Sequence, residues 1–279
     1  MAATNDGNTD RHQQWYDPDL NEVNPEIRNL LENYSKVSPS EVVKHVNDIR
    51  KRGFASNPYP CIGHYRFLNL TLLTHPLYQS ILSRLNSDPS ALYLDIGCCF
   101  GQDLRQLVLD GISSAQLVGV DIEGPLMELG YDLFLDRETL QSKFAVVDVF
   151  KGESQGEPWT GLVAKGVDVV HCSAFFHLFP LPVQIEAARH VSKLVRKGGI
   201  IVGRQSGSIV PMEVPAIKAG STSFRHDVSS LAELWDKVGE ETGTKWKVDG
   251  TLDTVGMDKK NPVENEYSRR LLFTITRVE

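Results

Sequence analysis

Through the first ninety residues the apolar positions recur at spacings of three and four. Asn24 before Pro25 reads as a cap with proline at the first helical position, and Ile27, Leu30, Leu31 and Tyr34 follow at helical spacing. Ser38-Pro39-Ser40-Glu41 repeats the start signal as a capping box, with Val42, Val46 and Ile49 on one face and Gly53 as the stop. A proline-rich loop, Asn57-Pro58-Tyr59-Pro60, leads into Tyr65, Leu68 and Leu72, and Leu77, Ile81, Leu82 and Leu85 predict a further helix. This part is expected to be all-helical.

From Ala91 onward, past Asp88-Pro89, the pattern becomes short apolar runs alternating with amphipathic helices. Strands are predicted at 91–96, 116–121, 143–148, 167–172 and 199–204, which is the signature of a parallel sheet with helices on its faces. A long loop from Gln205 to His226 then precedes a helix carrying Leu231, Leu234, Trp235 and Val238. The last two apolar runs, 245–252 and 270–277, have no helix between them. Such strands pair antiparallel or lie apart in the sheet, because a parallel neighbour requires a long crossover. The expected fold class is therefore α/β, a mostly parallel seven-stranded sheet with an antiparallel last strand behind a helical N-terminal cap. Its parts are a flexible polar tail (1–14), a helical substrate cap (15–90) and an α/β domain (91–279).

The 279 residues carry 29 Lys+Arg against 36 Asp+Glu, a formal charge of -7, which argues against a dedicated nucleic-acid binder. Hydrophobic residues at 41% and charged residues at 23% are those of an ordinary globular chain. No apolar run approaches the roughly 20 residues of a membrane-spanning helix, so no membrane insertion is expected. Met1–Gln14 has no basic start leading into an apolar stretch, which predicts a cytoplasmic protein. Cys61, Cys98, Cys99 and Cys172 show neither a Cys-x-x-Cys pair nor zinc-ligand spacing, so no metal and no disulfide framework are expected. A homodimer is compatible with these features, and none of them requires it.

The candidate chemistry begins at Leu92-Tyr93-Leu94-Asp95-Ile96-Gly97-Cys98-Cys99-Phe100-Gly101-Gln102, an apolar strand running into a glycine-bearing turn and then a helix. A ligand in such a fold binds beyond the carboxyl ends of the strands. The dinucleotide fingerprint would place glycines at 97, 99 and 102, where the chain has Gly97, Cys99 and Gln102. Asp95 would repel a pyrophosphate but suits an ammonium and a sulfonium, which favours S-adenosylmethionine. Asp121, followed by Ile122, closes the second strand, where a carboxylate can accept two hydrogen bonds from a ribose diol. Asp148 closes the third, in a position to accept from an adenine amino group, with Val149 and Phe150 beside the ring.

On these residues the chain resembles the Rossmann-like S-adenosylmethionine-dependent methyltransferases over residues 91 to 277. Their first motif, Asp/Glu-x-Gly-x-Gly-x-Gly, is matched at Asp95, Gly97 and Gly101 and departs at Cys99. With Trp15-Tyr16-Asp17-Pro18 and Tyr59-Pro60-Cys61-Ile62-Gly63-His64-Tyr65-Arg66-Phe67, the whole chain further resembles the fungal methyltransferases of meroterpenoid biosynthesis. The resemblance implies methyl esterification of a carboxyl group on a farnesylated aromatic polyketide acid. Phenolic O-methylation and C-methylation are the rivals, and a dehydrogenase or a non-catalytic binding domain are readings of a different class.

The fourth strand runs into Ser173-Ala174-Phe175-Phe176-His177, making His177 a candidate substrate contact. Arg204, Arg225 and His226, at or after the fifth strand, are candidates to orient a substrate carboxylate. A carboxyl acceptor is already ionised at neutral pH, whereas a phenol usually wants a general base, so no fixed base need be found. Trp15, Tyr16, Tyr59, Tyr65 and Phe67 are expected either to wall an apolar substrate or to pack the cap against the sheet.

Overall fold

The computed structural model describes residues 15–216, 220–255 and 263–279, so the expected polar tail lies outside the described residues. Asn24 starts α1 (Pro25–Asn33) as its sequence implies, its Oδ1 accepting from the Ile27 amide at 2.9 Å. The start of α2 (Val42–Ser56) corrects the expected capping box. Glu41 is the N-cap and makes no side-chain cap bond, while the Ser38 and Ser40 hydroxyls lie 3.2 Å from each other. Nor does Gly53 stop this helix. It lies inside it, where a Cβ would come within 3.1 Å of Phe100 and 3.3 Å of Ile62, so glycine here serves close packing. A short helix α3 (Pro60–Gly63), a 3-10 turn (Arg66–Leu68) and α4 (Tyr78–Ser87) follow.

The α/β part runs β1 (Tyr93–Ile96), α5 (Gln102–Leu109), β2 (Leu117–Asp121), α6 (Gly124–Phe134), β3 (Lys143–Val146), α7 (Trp159–Lys165), β4 (Val167–His171), α8 (Leu181–Ser192) and β5 (Val195–Ser208). Then come β6 (Met212–Pro215), β7 (Thr222–Arg225), α9 (Val228–Thr242), β8 (Trp246–Asp253) and β9 (Ser268–Arg277). The seven-stranded sheet has the order β3-β2-β1-β4-β5-β9-β8. β9 runs antiparallel to both β5 and β8, which bears out the predicted tail.

The expected loop from Gln205 to His226 is corrected. β5 continues to Ser208, pairing with β9 through Ser208↔Ser268, and β6 and β7 form a hairpin. Gln205-Ser206-Gly207-Ser208 has no apolar alternation to announce a strand. Its pairing instead exploits close approach, since a Cβ on Gly207 would lie 2.7 Å from the His226 carbonyl oxygen.

Alternation along each strand sorts the core into two faces. Leu94, Ile96, Val118 and Val120 pack against α7, α8 and α9 through Trp159, Ala188, Val191, Leu231 and Trp235. Tyr93, Leu117, Val169 and Val202 pack on the other face with Ile81 and Leu85 of α4 and Leu104 and Leu107 of α5. A third apolar cluster joins Ile27, Leu30, Leu31, Val42, Val46 and Phe67 to Phe100 and to Leu126, Leu133 and Phe134 of α6. The helical segment is thereby seated over the loop that follows β1.

Candidate active site

Asp95 alternates with Leu94 and Ile96, so its carboxylate points to the α5 side of the sheet. There it is buried at 3% exposure, and its Oδ1 lies 3.0 Å from Nδ1 of His171, the register partner on β4. Nε2 of His171 reaches the hydroxyls of Ser173 (2.8 Å) and Thr71 (3.2 Å). The Thr71 hydroxyl also donates to Asp103 Oδ2 (3.2 Å), and Leu72 N donates to Asp103 Oδ1 (3.0 Å). Burial opposes charge on His171, but the Asp95 and Asp103 carboxylates outweigh it and raise its pKa. Burial raises Asp103 to about 6, against the attraction of His171. Asp95, Asp103 and His171 thus form a buried polar network beneath the glycine turn. Sequence reading found Asp95 and missed the other two, because His171 ends an apolar run and Asp103 opens a helix.

The turn is built from left-handed backbone. Gly97, Cys99 and Gly101 have φ of 75°, 54° and 70°. Cys99 therefore holds a left-handed conformation at a steric cost that a glycine there would avoid. Tyr65 (φ 54°) and Ala174 (φ 52°) carry the same strain on two sides of the site, the one in the helical segment and the other just past β4. Burial lifts the thiols of Cys98, Cys99 and Cys172 well above their ordinary pKa, which leaves them as space-filling groups.

Asp121 fastens the turn to β2, its Oδ2 accepting from Cys99 N (2.8 Å) and its Oδ1 from Glu123 N (3.0 Å). Burial raises its carboxyl above the usual carboxylate range, the two amides offsetting only part of that. Ile122, 62% exposed, presents an apolar surface beside it. Asp148 caps the 3-10 turn Val149–Gln155 through Phe150 N (3.1 Å). The Phe150 ring meets Phe179 edge-on at 5.2 Å, Phe179 meets Phe175 at 5.5 Å, and a Cβ on Gly97 would find only Phe175, at 3.9 Å. A backbone open at Gly97, an exposed isoleucine and two oriented acids fit an adenosine-type cofactor.

Among the acceptor-side candidates, His177 is half-buried with its Nδ1 buried and unpartnered, and its pKa lies well below the usual value through burial and the charges of Arg225, Arg270 and Arg66. Arg204 is not among those charges. Its guanidinium bonds the Val255 carbonyl instead. His226 precedes Asp227, the N-cap of α9, with Nδ1 2.9 Å from Ser230 Oγ, and burial lowers its pKa to about 4 despite Asp227. From the helical segment, Tyr59 and Cys61 sit close enough to Asp121 to feel its charge, while burial raises both groups. Tyr65 and Phe67 pack inward, and Tyr16 lies under Arg50, whose guanidinium carbon is 3.6 Å from the ring centroid.

A mostly parallel sheet with a reversed β9, and acids at or just beyond the ends of β1, β2 and β3, define an α/β domain of the methyltransferase class. Family models agree, a meroterpenoid methyltransferase N-terminal domain matching residues 15–68 and a methyltransferase domain matching residues 94–201. The chain is 40% identical over 272 residues to the O-methyltransferase atr3 of Stereocaulon alpinum, covering 95% of this chain and 76% of that one. It is 38% identical over 261 residues to the Asnovolin E/Chermesin D methyltransferase nvfJ of Aspergillus novofumigatus, covering 92% and 91%. Among solved structures it is similar to a Burkholderia thailandensis 1,6-didemethyltoxoflavin-N1-methyltransferase, at 15% identity and a TM-score of 0.49, over 87% of this chain and 92% of that one. The chain belongs to the S-adenosylmethionine-dependent meroterpenoid methyltransferase family. Among the described residues, no helix is long and apolar enough to cross a membrane.

Proposed function

We propose that the protein forms the methyl ester of a carboxyl group on a farnesylated aromatic polyketide acid. The observation that carries this reading is the acceptor side beyond β4, where a neutral His177 sits among Arg66, Arg225 and Arg270. That surrounding attracts an anion and offers no poised general base, and a carboxylate needs none. S-adenosylmethionine supplies a methyl group already activated on sulfur. The acceptor's carboxylate oxygen forms the new C–O bond as the C–S bond breaks, the electron pair stays on sulfur and no proton moves.

The chain's own contribution is alignment and exclusion of water, which can supply about 7–11 kcal/mol of the barrier. In this reading Asp121 accepts from the ribose hydroxyls, Ile122 and Phe150 flank the adenine, and Asp148 and Val149 meet its edge. Gly97 and Gly101 let the backbone approach the methionine portion, and Asp95 holds its ammonium end. Residues 15–90 cover the site as a cap, with Tyr59 and Cys61 over the ribose side. The relatives' names as fungal O-methyltransferases and meroterpenoid methyltransferases support an oxygen acceptor of this kind.

The test incubates the protein with methyl-labelled cofactor and a farnesylated dihydroxybenzoic acid, then treats the product with mild base. Label released by saponification is the expected result. A base-stable label overturns the ester reading in favour of a phenol ether or a carbon–carbon bond.

A further inference from the structure

Arg225 is 9% exposed, and its Nη1 is buried with no hydrogen-bond partner. Burying a guanidinium with an unmet donor is costly unless something else meets it. Its place is fixed by the backbone of β7, where Phe224 N donates to the Phe179 carbonyl at 2.9 Å. Gln184 Nε2 reinforces that joint, donating to the carbonyls of Phe179 and Phe224 at 2.9 Å each. The joint packs β7, which ends in Arg225, on the turn Phe176–Leu178 that carries His177. From β9, Arg270 directs Nη1 to Ser206 Oγ (3.0 Å) and Glu264 Oε1 (3.2 Å). The charged groups acting on Arg225 are Glu264, Arg270 and Arg66; the one acid among them meets Arg270 through Oε1, and its buried Oε2 makes no bond to Arg225.

We propose that Arg225 is the specificity-determining residue for the acceptor, its unmet Nη1 donating to the substrate carboxylate, with Arg270 and Arg66 adding positive charge and His177 lying beside them. The proposal rests on the carboxyl-ester reading. The planar fork of arginine matches a carboxylate in a way a lysine ammonium does not. An acceptor without the carboxyl group leaves the desolvated guanidinium unpaired, so the same contact that binds the acid rejects its decarboxylated counterpart.

The experiment measures, by calorimetry with S-adenosylhomocysteine present, the affinity of a farnesylated dihydroxybenzoic acid and of the corresponding farnesylated resorcinol. The full chain is compared with Arg225→Met and Arg225→Lys. Wild type is expected to favour the acid, and Arg225→Met to lose about 10- to 100-fold of acid affinity, the scale of a hydrogen bond to a charged group, while binding the resorcinol at least as tightly as wild type and S-adenosylhomocysteine as wild type does. Arg225→Lys is expected to fall between the two and keeps the question decidable if the methionine variant folds poorly. An acid that binds wild type no tighter than the resorcinol overturns the proposal, as does an equal loss for both ligands. Saponification of the wild-type product separates the two ideas. A base-stable label with Arg225-dependent acid binding removes the ester reading alone, whereas a base-labile label without that dependence removes the role of Arg225 alone.

Discussion

Asp121 and Asp148 occupy similar places in sequence and different ones in space. Asp121 holds Cys99 N and Glu123 N at once and is largely buried, whereas Asp148 caps a turn through one oxygen. Removing Asp121 frees the glycine turn and takes away the proposed ribose acceptor together. Asp121→Ala is therefore expected to weaken S-adenosylmethionine binding by about tenfold or more, and Asp148→Ala by less. Calorimetry that finds both affinities near wild type would refute this. The same contrast shows what sequence could and could not reveal at this scale. Acids following strands were legible as a series, but the partner of Asp95 was not, because His171 lies 76 residues away and meets it only through strand register. His177 was legible only as a loop histidine near the acceptor. Its depressed pKa makes it a weak base, so His177→Ala should alter substrate binding more than the single-turnover rate. A rate loss of about 100-fold or more at saturating substrate would make it a general base after all.

At the scale of elements, the glycine turn is gripped from two sides. Arg105 of α5 binds Asp136 through two nitrogens (2.9 and 3.0 Å) and donates Nη1 to the Phe100 carbonyl at 2.8 Å. From the other side α6 touches the same carbonyl through Gly130, where a Cβ would lie 2.3 Å from the Phe100 oxygen. Alanine would ordinarily favour a helix by about 1 kcal/mol over glycine. Here overpacking costs about 1–3 kcal/mol and pushes on the turn. Gly130→Ala should accordingly lower the urea midpoint and weaken cofactor binding, and an unchanged or raised midpoint would contradict that. Helices and central strands were legible because their apolar faces repeat at 3.6 or 2 residues. The extended end of β5 and the β6–β7 hairpin were not, since small and polar residues pair there by close backbone approach. The start of α2 misled for a related reason, its two serines lying near each other instead of reaching the helix amides.

For the molecule as a whole, the buried histidines tie stability to pH in opposite directions. An unfolded histidine takes up its proton near 6.5, but folded His226 does so only near about 4. Between those values the unfolded chain binds the extra proton, so this contribution is complete above pH 6.5 and is lost as pH falls towards 4. The gap corresponds to at most about 3 kcal/mol. His171 and Asp103, both raised, respond with the opposite sign, so the variant has to be read against wild type. His226→Gln should flatten the decline in urea midpoint between pH 6.5 and 4.5, and an unaltered pH profile would refute the assignment.

The apolar cluster shared by α1, α2, Phe100 and α6 bears on how such proteins can be recombined. Its members come from both sides of the boundary between the matched segments 15–68 and 94–201. Neither piece completes a core alone, so a chimaera that grafts a relative's first 68 residues onto this sheet inherits mismatched surfaces at Leu126, Leu133 and Phe134. The helical segment is then transplantable only with its seam: the graft should fold when the facing residues of α6 travel with it and aggregate when they do not.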